Sequence, residues 1–184
     1  MMSDRATQVC KVLVAGPVGV GKTTAVRAAS DKSILTTDVL PSDATRQLKN
    51  TTTVAMDFSV IWLDDRLKVH LYGTPGQERF DFMWDVLSEG TAGVILLVDD
   101  SSGSVFADMQ TYLNAFESLI NKRRLVVGVT RLQDSNDAGL QRYRDYFMQQ
   151  RMLVPVLEAD PRSRHDIIVL IRASLATAQL EEEA

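Results

Sequence analysis

The feature that most constrains this chain is an eight-residue stretch, GPVGVGKT, at residues 16–23. It matches the pattern G-x-x-x-x-G-K-[ST], in which glycines let backbone N–H groups approach phosphate oxygens closely. An apolar run at residues 9–16 precedes the motif, and a helix-forming segment at residues 22–30 follows it. This strand–loop–helix context predicts a phosphate-binding loop rather than an ordinary glycine-rich turn that opens a helix.

Each residue type in this loop has a use in nucleotide binding. Lys22 can bridge the β- and γ-phosphates, and the hydroxyl of Thr23 can bind Mg²⁺. The helix that follows adds the positive end of its dipole. We expect the nucleotide phosphates to contact Gly16, Val18, Gly19, Val20, Gly21, Lys22, Thr23 and Thr24.

Short apolar runs alternate with helix-length segments along the rest of the chain. The runs at 92–100 and 124–130 are almost continuously apolar, which is typical of parallel strands covered on both faces. This alternation predicts an α/β domain of three layers, spanning residues 1–184, with a mostly parallel sheet. Further strands are predicted at 55–63, 67–74 and 154–159, the first two as an antiparallel hairpin, and further helices at 104–120, 139–152 and 164–180.

Length, charge and cysteine content exclude several classes of protein. The 184 residues suit one domain with a substantial core, and the net charge of −4 argues against a nucleic-acid or anionic-membrane surface. The single cysteine, Cys10, cannot form an internal disulfide, which suits a reducing compartment. No apolar run is long enough to span a membrane, and neither terminus carries a lipidation motif. We expect a soluble cytoplasmic protein without a membrane anchor.

A second informative stretch is VHLYGTPGQE at residues 69–78, which reads as a buried strand that runs into a loop. With the phosphate loop and the hairpin, it resembles the small GTPases, and most of all the bacterial Ras-like proteins of the MglA type and a neighbouring group of predicted bacterial GTPases. The likeness covers about residues 9–180. It implies a P-loop NTPase fold with a six-stranded sheet, one antiparallel strand and about five helices. It also implies GTP and GDP as ligands, GTP hydrolysis, two switch loops, and regulatory or effector proteins of roadblock type.

The resemblance assigns roles to two residues of the second stretch. Gln77 stands where the family has the glutamine that orients the attacking water, and Gly76 where a backbone N–H senses the γ-phosphate. With Lys22, Gln77 is the expected catalytic residue. The alternative for Gln77 is a surface glutamine in a turn.

The usual Mg²⁺-binding aspartate of this family is missing. Where Ras-type proteins have DTAGQ, this chain has Gly73 followed by TPGQ. In the MglA-like group a threonine and an aspartate four residues later stand where this chain has Thr53 and Asp57. With Thr23 they would supply oxygen ligands for Mg²⁺, directly or through water. Alternatively, Asp57 is a solvent-exposed strand-edge residue, or one of the two threonines before Thr53 is the ligand.

The polar segment at residues 31–53 is a candidate for a loop that changes with the bound nucleotide. A connection as long as 31–53 inside a compact domain is usually functional, and this one fits the first switch loop. Arg46 within it is either an internal cation for the transition state or a solvated charge.

Val18 replaces a small glycine of the Ras type, and its branched side chain would crowd the catalytic glutamine. We therefore expect slow intrinsic hydrolysis.

The base-reading motifs depart from the family. Guanine selection normally uses N-K-x-D, and this chain has Thr130, Arg131 and Gln133 at the corresponding places. Arg131 would stack on the base, and a neutral Gln133 would read guanine less strictly than a carboxylate, unless Asp134 moves into its place. In the last base loop, Ala159 or Asp160 would offer a backbone N–H to the base oxygen.

Three functions compete on these residues. A GTP-hydrolysing switch is favoured by the intact phosphate loop, Gln77 and the long switch-like segment. A nucleotide-binding interaction module with little hydrolysis is favoured by Gly73, Val18 and the altered base motif. A P-loop kinase for a small molecule lacks support, because no lid segment or acceptor-binding insertion is recognisable. The sequence favours the first function.

Overall fold

The computed structural model describes residues 7–31, 35–36, 56–76, 86–117, 124–133 and 137–182. Thr53, Gln77 and Asp134 lie outside these ranges, as does most of the segment 31–53. Every element below refers to this described part of the chain.

The described strands form one sheet in the order β2-β3-β4-β1-β5-β6-β7. β3 pairs antiparallel with both β2 and β4, whereas all other neighbours pair in parallel. Among the described strands, β3 is thus the one that runs against the rest, as expected. The strands are β1 (Gln8–Ala15), β2 (Leu35–Thr36), β3 (Asp57–Trp62), β4 (Leu67–Gly73), β5 (Thr91–Asp99), β6 (Leu125–Thr130) and β7 (Val156–Glu158).

The α/β fold with a mostly parallel sheet is confirmed, and the strand count needs one correction. Six strands were expected, and the sheet has a seventh because Leu35 and Thr36 pair with Phe58 and Asp57 of β3. This two-residue strand lies in the segment expected to be an irregular loop. Its pairing is made by the backbone, so it leaves little trace in the pattern of apolar side chains.

Helices cover both faces of the sheet. They are α1 (Lys22–Ala29), α2 (Val105–Ala115), α3 (Asp137–Gln149) and α4 (Arg164–Glu182), with a further helical turn at residues 86–88. None of the helices in the described ranges combines the length and the apolar character that a membrane span needs.

Alternating strand residues divide the core into two layers. Leu96 and Val98 of β5 pack with residues of α2 and α3, whereas Ile95 and Leu97 pack with residues of α1 and α4. Successive side chains of a strand point to opposite faces, so a strand covered on both faces must be apolar throughout. All six residues of β6 are buried for this reason, which is why its sequence has no polar alternation.

The parallel strands end at one edge of the sheet, and the predicted site residues follow them. The phosphate loop follows β1, Thr130 ends β6, and Ala159 comes directly after β7. β1 lies between β4 and β5, so connections leave it toward both sides of the sheet. In open α/β sheets, ligands bind beyond the carboxyl ends of the strands at such a point of reversal.

Candidate nucleotide site

Two glycines of the phosphate loop are required by close contacts. Gly16 has φ 137° and Gly21 has φ 110°, backbone conformations that residues with a side chain rarely adopt. A Cβ at Gly16 would collide with the carbonyl oxygen of Leu97, and one at Gly21 would lie 2.7 Å from Cγ of Pro161. The loop is therefore fixed between β5 and the loop after β7, and the motif glycines make that possible.

Lys22 is held inside the phosphate loop. Its Nζ donates to the carbonyl oxygens of Gly16 and Pro17, each at 2.7 Å, and the residue is 9% exposed. Burial lowers the pKa of Lys22 to about 8, while the negative charge of Asp57 acts in the opposite direction. The ammonium group thus lies at the loop where bound phosphates would meet it.

Thr23 and Asp57, two of the three residues expected to bind Mg²⁺, lie together. The hydroxyl of Thr23 donates to Oδ2 of Asp57 at 2.5 Å, and Asp57 opens β3 directly opposite Gly73 of β4. A hydroxyl and a carboxylate are the hard oxygen ligands that Mg²⁺ prefers. The described residues contain no group of three or more His, Cys, Asp or Glu that would bind a metal.

The loop after β4 lies against the phosphate loop. The N–H of Thr74 donates to the carbonyl of Val14 at 2.9 Å, which continues the pairing of β4 with β1. Two residues later, a Cβ at Gly76 would lie 2.5 Å from Nζ of Lys22 and 2.9 Å from the backbone nitrogen of Val18. The carbonyl of Gly76 accepts a hydrogen bond from the hydroxyl of Tyr112 at 3.3 Å. Gly76 is thus adjacent to the phosphate groups' expected position.

Arg131 joins the base loop to the phosphate loop. It has φ 52°, forms an ion pair with Asp99, and donates to the carbonyl of Gly19 at 3.0 Å. Thr130 is buried, and its hydroxyl donates to the carbonyl of Val98 at 3.0 Å. Through these contacts with β5 and the phosphate loop, the two residues hold the base loop in place.

Asp100, which the sequence analysis missed, holds Gln133 in place. The N–H of Gln133 donates to Oδ2 of Asp100 at 2.9 Å, while Arg142 and the hydroxyl of Tyr143 donate to Oδ1. Burial alone would raise the pKa of Asp100, but these hydrogen bonds more than offset it, and the pKa lies below its ordinary value. The only sequence signal for this role is a second carboxylate after an apolar strand.

Ala159 and Asp160 have acceptors for their backbone N–H groups already. The N–H of Ala159 donates to the carbonyl of Val129, and that of Asp160 to Oδ2 of Asp166, both at 2.9 Å. A base oxygen would have to replace one of these partners. The carboxylate of Asp160 binds the side chain of Arg162, whose hydrogen bonds lower the pKa of Asp160 to about 2.

Comparisons with known proteins identify a family whose sequence model matches this chain. The sequence model of a family described as conserved hypothetical ATP binding protein matches residues 31–152. That range includes Asp57, Gly76 and Gln133, and it begins after the phosphate loop.

Individual relatives are similar over parts of their length. An uncharacterized protein of Methanocaldococcus jannaschii is 36% identical over 93 residues, which are 50% of this chain and 53% of that protein. The Ras-related protein Rab-18-B of Danio rerio is 29% identical over 128 residues, 68% of this chain and 57% of that protein. The Ras-related protein Rab-13 of Canis lupus familiaris is 25% identical over 143 residues, 76% and 62% respectively. The chain thus spans between half and two thirds of each of these relatives.

Proposed function

We propose that this chain, which belongs to the family described as conserved hypothetical ATP binding protein, is a small GTPase that alternates between GTP- and GDP-bound states. It hydrolyses GTP slowly and needs Mg²⁺. The observation that carries the proposal is the hydrogen bond between Thr23 and Asp57 beside the buried Lys22. A hydroxyl, a carboxylate and an ammonium group are thereby gathered at one glycine-rich loop, and they are the groups that a nucleoside phosphate with Mg²⁺ requires.

The roles of the residues follow from their chemistry. Thr23, Asp57 and Thr53 would hold the Mg²⁺, which neutralises charge on the β- and γ-phosphates when bound. Lys22 and the loop N–H groups bind the phosphate oxygens, and the N–H of Gly76 senses the γ-phosphate. Gln77 orients the attacking water by accepting a hydrogen bond from it.

Guanine is the proposed base, with relaxed selectivity. The likeness to Ras-related proteins supports guanine, whereas the family description names ATP. Gln133 is exposed and neutral, and the nearby carboxylate of Asp100 is occupied by Gln133 N–H, Tyr143 and Arg142. If no carboxylate from outside the described residues, such as that of Asp134, reaches the guanine N1–H and amine, discrimination against other bases is expected to be weaker than an aspartate would give.

A second candidate is a nucleotide-binding interaction module with little hydrolysis. Val18 favours it, because this branched side chain is 68% exposed on the loop where a catalytic glutamine or an inserted arginine would need room. The two candidates share the same ligand and differ in turnover.

One set of measurements tests the proposal and separates the candidates. Affinities for GTP, GDP, ATP and XTP are measured with and without Mg²⁺, followed by turnover of the wild type and of Gln77→Ala. Tight, Mg²⁺-dependent binding of GTP and GDP with turnover that Gln77→Ala abolishes supports the GTPase. Binding without turnover supports the interaction module, and no binding of any nucleotide contradicts both.

The resemblance to MglA-like proteins extends the proposal to partners. Regulatory and effector proteins, roadblock-type proteins among them, would bind the segment 31–53 and the residues after Gly76 in a nucleotide-dependent way in the cytoplasm, without nucleic acid. Binding of such a partner to the GTP-loaded and not the GDP-loaded protein is the expected result, and equal binding to both would contradict a switch.

A further inference from the structure

Tyr112 connects the loop at Gly76 to a helix of the core. Tyr112 belongs to α2, is 4% exposed, and donates its hydroxyl hydrogen to the carbonyl of Gly76 at 3.3 Å. Its helix is fixed, because Val105, Met109 and Leu113 of α2 are buried in the same core layer as β5 and β6. A packed side chain of this kind stays in place when a neighbouring loop moves.

The backbone of Gly76 occupies space that a bound phosphate oxygen would need. The Cβ position of Gly76 lies 2.5 Å from Nζ of Lys22 and 2.9 Å from the nitrogen of Val18. An anionic oxygen that accepts hydrogen bonds from two nitrogens lies about 2.7–2.9 Å from each, so this point is close to such an oxygen site. It is also only about 1.5 Å, one C–C bond, from Cα of Gly76. An oxygen there and Gly76 in its present position therefore exclude each other.

We propose that Tyr112 is a positioning residue that holds Gly76 over the phosphate loop and thereby favours a nucleoside diphosphate over a triphosphate. This inference rests on the proposed function, because it assigns a preference to the same site. A third phosphate, bound by Lys22 and the N–H of Val18, requires Gly76 to withdraw from its present position to one from which its N–H can donate to that phosphate. Withdrawal breaks the hydrogen bond with Tyr112, whose 3.3 Å length is already beyond the usual range for a hydroxyl donor.

The direction of the effect follows from which state contains the bond. A contact changes an equilibrium only if it differs between the two states. The hydrogen bond of Tyr112 exists when Gly76 covers the phosphate loop and is lost when Gly76 withdraws. Its removal therefore weakens the diphosphate-compatible state alone and raises the relative affinity for the triphosphate.

The test compares Tyr112→Phe with a matched control, Tyr146→Phe. Tyr146 of α3 donates its hydroxyl to Oε1 of Gln110 on the same helix α2 at 2.6 Å, and it makes no bond to Gly76. Affinities for GDP and for a non-hydrolysable GTP analogue are measured with Mg²⁺ for the wild type and both variants. Tyr112→Phe is expected to shift the GTP-analogue-to-GDP affinity ratio by about 2- to 3-fold toward the triphosphate, the lower end of the range for loss of one hydrogen bond, because this bond is long. Tyr146→Phe is expected to leave the ratio unchanged.

The outcomes separate this inference from the proposed function. An unchanged ratio in Tyr112→Phe, or an equal shift in Tyr146→Phe, overturns the role of Tyr112 while the wild type still binds both nucleotides. A wild type that binds neither nucleotide overturns the proposed function instead. Tyr112→Met, which also lacks the hydroxyl and keeps an apolar side chain, is the second variant if Tyr112→Phe does not fold.

Discussion

Asp57 lies directly opposite Gly73 on the neighbouring antiparallel strand, and its side chain lies close to the point from which a side chain at residue 73 would extend. A Cβ at Gly73 would lie 3.2 Å from Cβ of Asp57 and 3.3 Å from Oδ2 of Asp57. Ras-type proteins have an aspartate at the place of Gly73. In this chain the carboxylate stands on the other member of the same cross-strand pair, and it still reaches the hydroxyl of Thr23.

Loss of the Asp57 carboxylate is expected to weaken Mg²⁺-dependent nucleotide binding. In Asp57→Ala, Thr23 loses its partner and the proposed metal site loses its charge. Nucleotide affinity with Mg²⁺ should fall by roughly 10- to 100-fold, the usual range for changes around a metal site, while affinity in EDTA changes little. Titration of a fluorescent GDP with and without Mg²⁺ measures both values. An Asp57→Ala protein whose Mg²⁺ dependence equals that of the wild type would remove Asp57 from the metal site.

Exchange of the two residues across the hairpin is expected to preserve function. Gly73→Asp alone crowds two carboxylates into one space, so binding with Mg²⁺ should weaken by roughly 10-fold or more. The double variant Asp57→Gly with Gly73→Asp relieves the crowding and returns one carboxylate to the site. Its Mg²⁺-dependent affinity should exceed that of either single variant, measured by the same titration. Additive losses in the double variant would show that the position of the carboxylate, and not only its presence, is required.

Removal of the Val18 side chain is expected to accelerate hydrolysis. Val18 is an exposed residue of the phosphate loop whose nitrogen lies near Gly76, so Val18→Gly makes room for a water-orienting glutamine. Single-turnover GTP hydrolysis should rise by about 10-fold, the equivalent of about 1.4 kcal/mol in the barrier. Val18→Ala serves as an intermediate and should give a smaller increase. Equal rates in all three proteins would mean that crowding at residue 18 does not limit hydrolysis.

Asp100 is expected to stabilise the fold in a pH-dependent way. Asp100→Asn leaves Arg142, Tyr143 and the N–H of Gln133 around a neutral amide, so unfolding free energy at pH 7 should fall by about 2–4 kcal/mol. The pKa of Asp100 is lowered on folding, so its contribution is present above the unfolded pKa of about 3.9 and is lost as pH falls below it. The difference in unfolding free energy between wild type and Asp100→Asn should therefore become smaller below about pH 4.

The control for this effect is Asp99→Asn. Asp99 pairs with Arg131, but its side chain is 19% exposed against 3% for Asp100. Because solvent screens the Asp99–Arg131 pair more strongly, Asp99→Asn should lower the unfolding free energy by only about 1 kcal/mol. Urea unfolding of the three proteins between pH 3 and pH 7 (a range chosen around the unfolded pKa) measures these differences. A loss in Asp99→Asn as large as in Asp100→Asn would contradict the special role of burial.

The fold was predictable because its signals are local. Residues adjacent in sequence are enough to predict several elements. These are the apolar strands β5 and β6, the turn between β3 and β4, and the glycine-rich phosphate loop. β2 was missed because two backbone-paired residues have no side-chain signature. In the candidate site, the expectation that Thr23 and Asp57 act together came from the resemblance to the MglA-like group, and a hydrogen bond joins the two side chains.

The rest of the site depends on contacts distant in sequence. Asp100 and Tyr143 are brought together by the packing of α3, and no spacing rule relates them. Arg131 has a side chain long enough to reach either a bound base or a backbone carbonyl, and residue type alone does not decide between the two. The acceptors of the Ala159 and Asp160 N–H groups likewise come from β6 and α4.

The link from Arg131 to the carbonyl of Gly19 makes the two ends of the ligand site mechanically dependent. A poorly fitting base that displaced the guanidinium of Arg131 would also release a support of the phosphate loop, so its nucleotide would be held less firmly at the phosphates as well as at the base. Discrimination between bases would then be expressed in how long a nucleotide remains bound rather than in how fast it arrives.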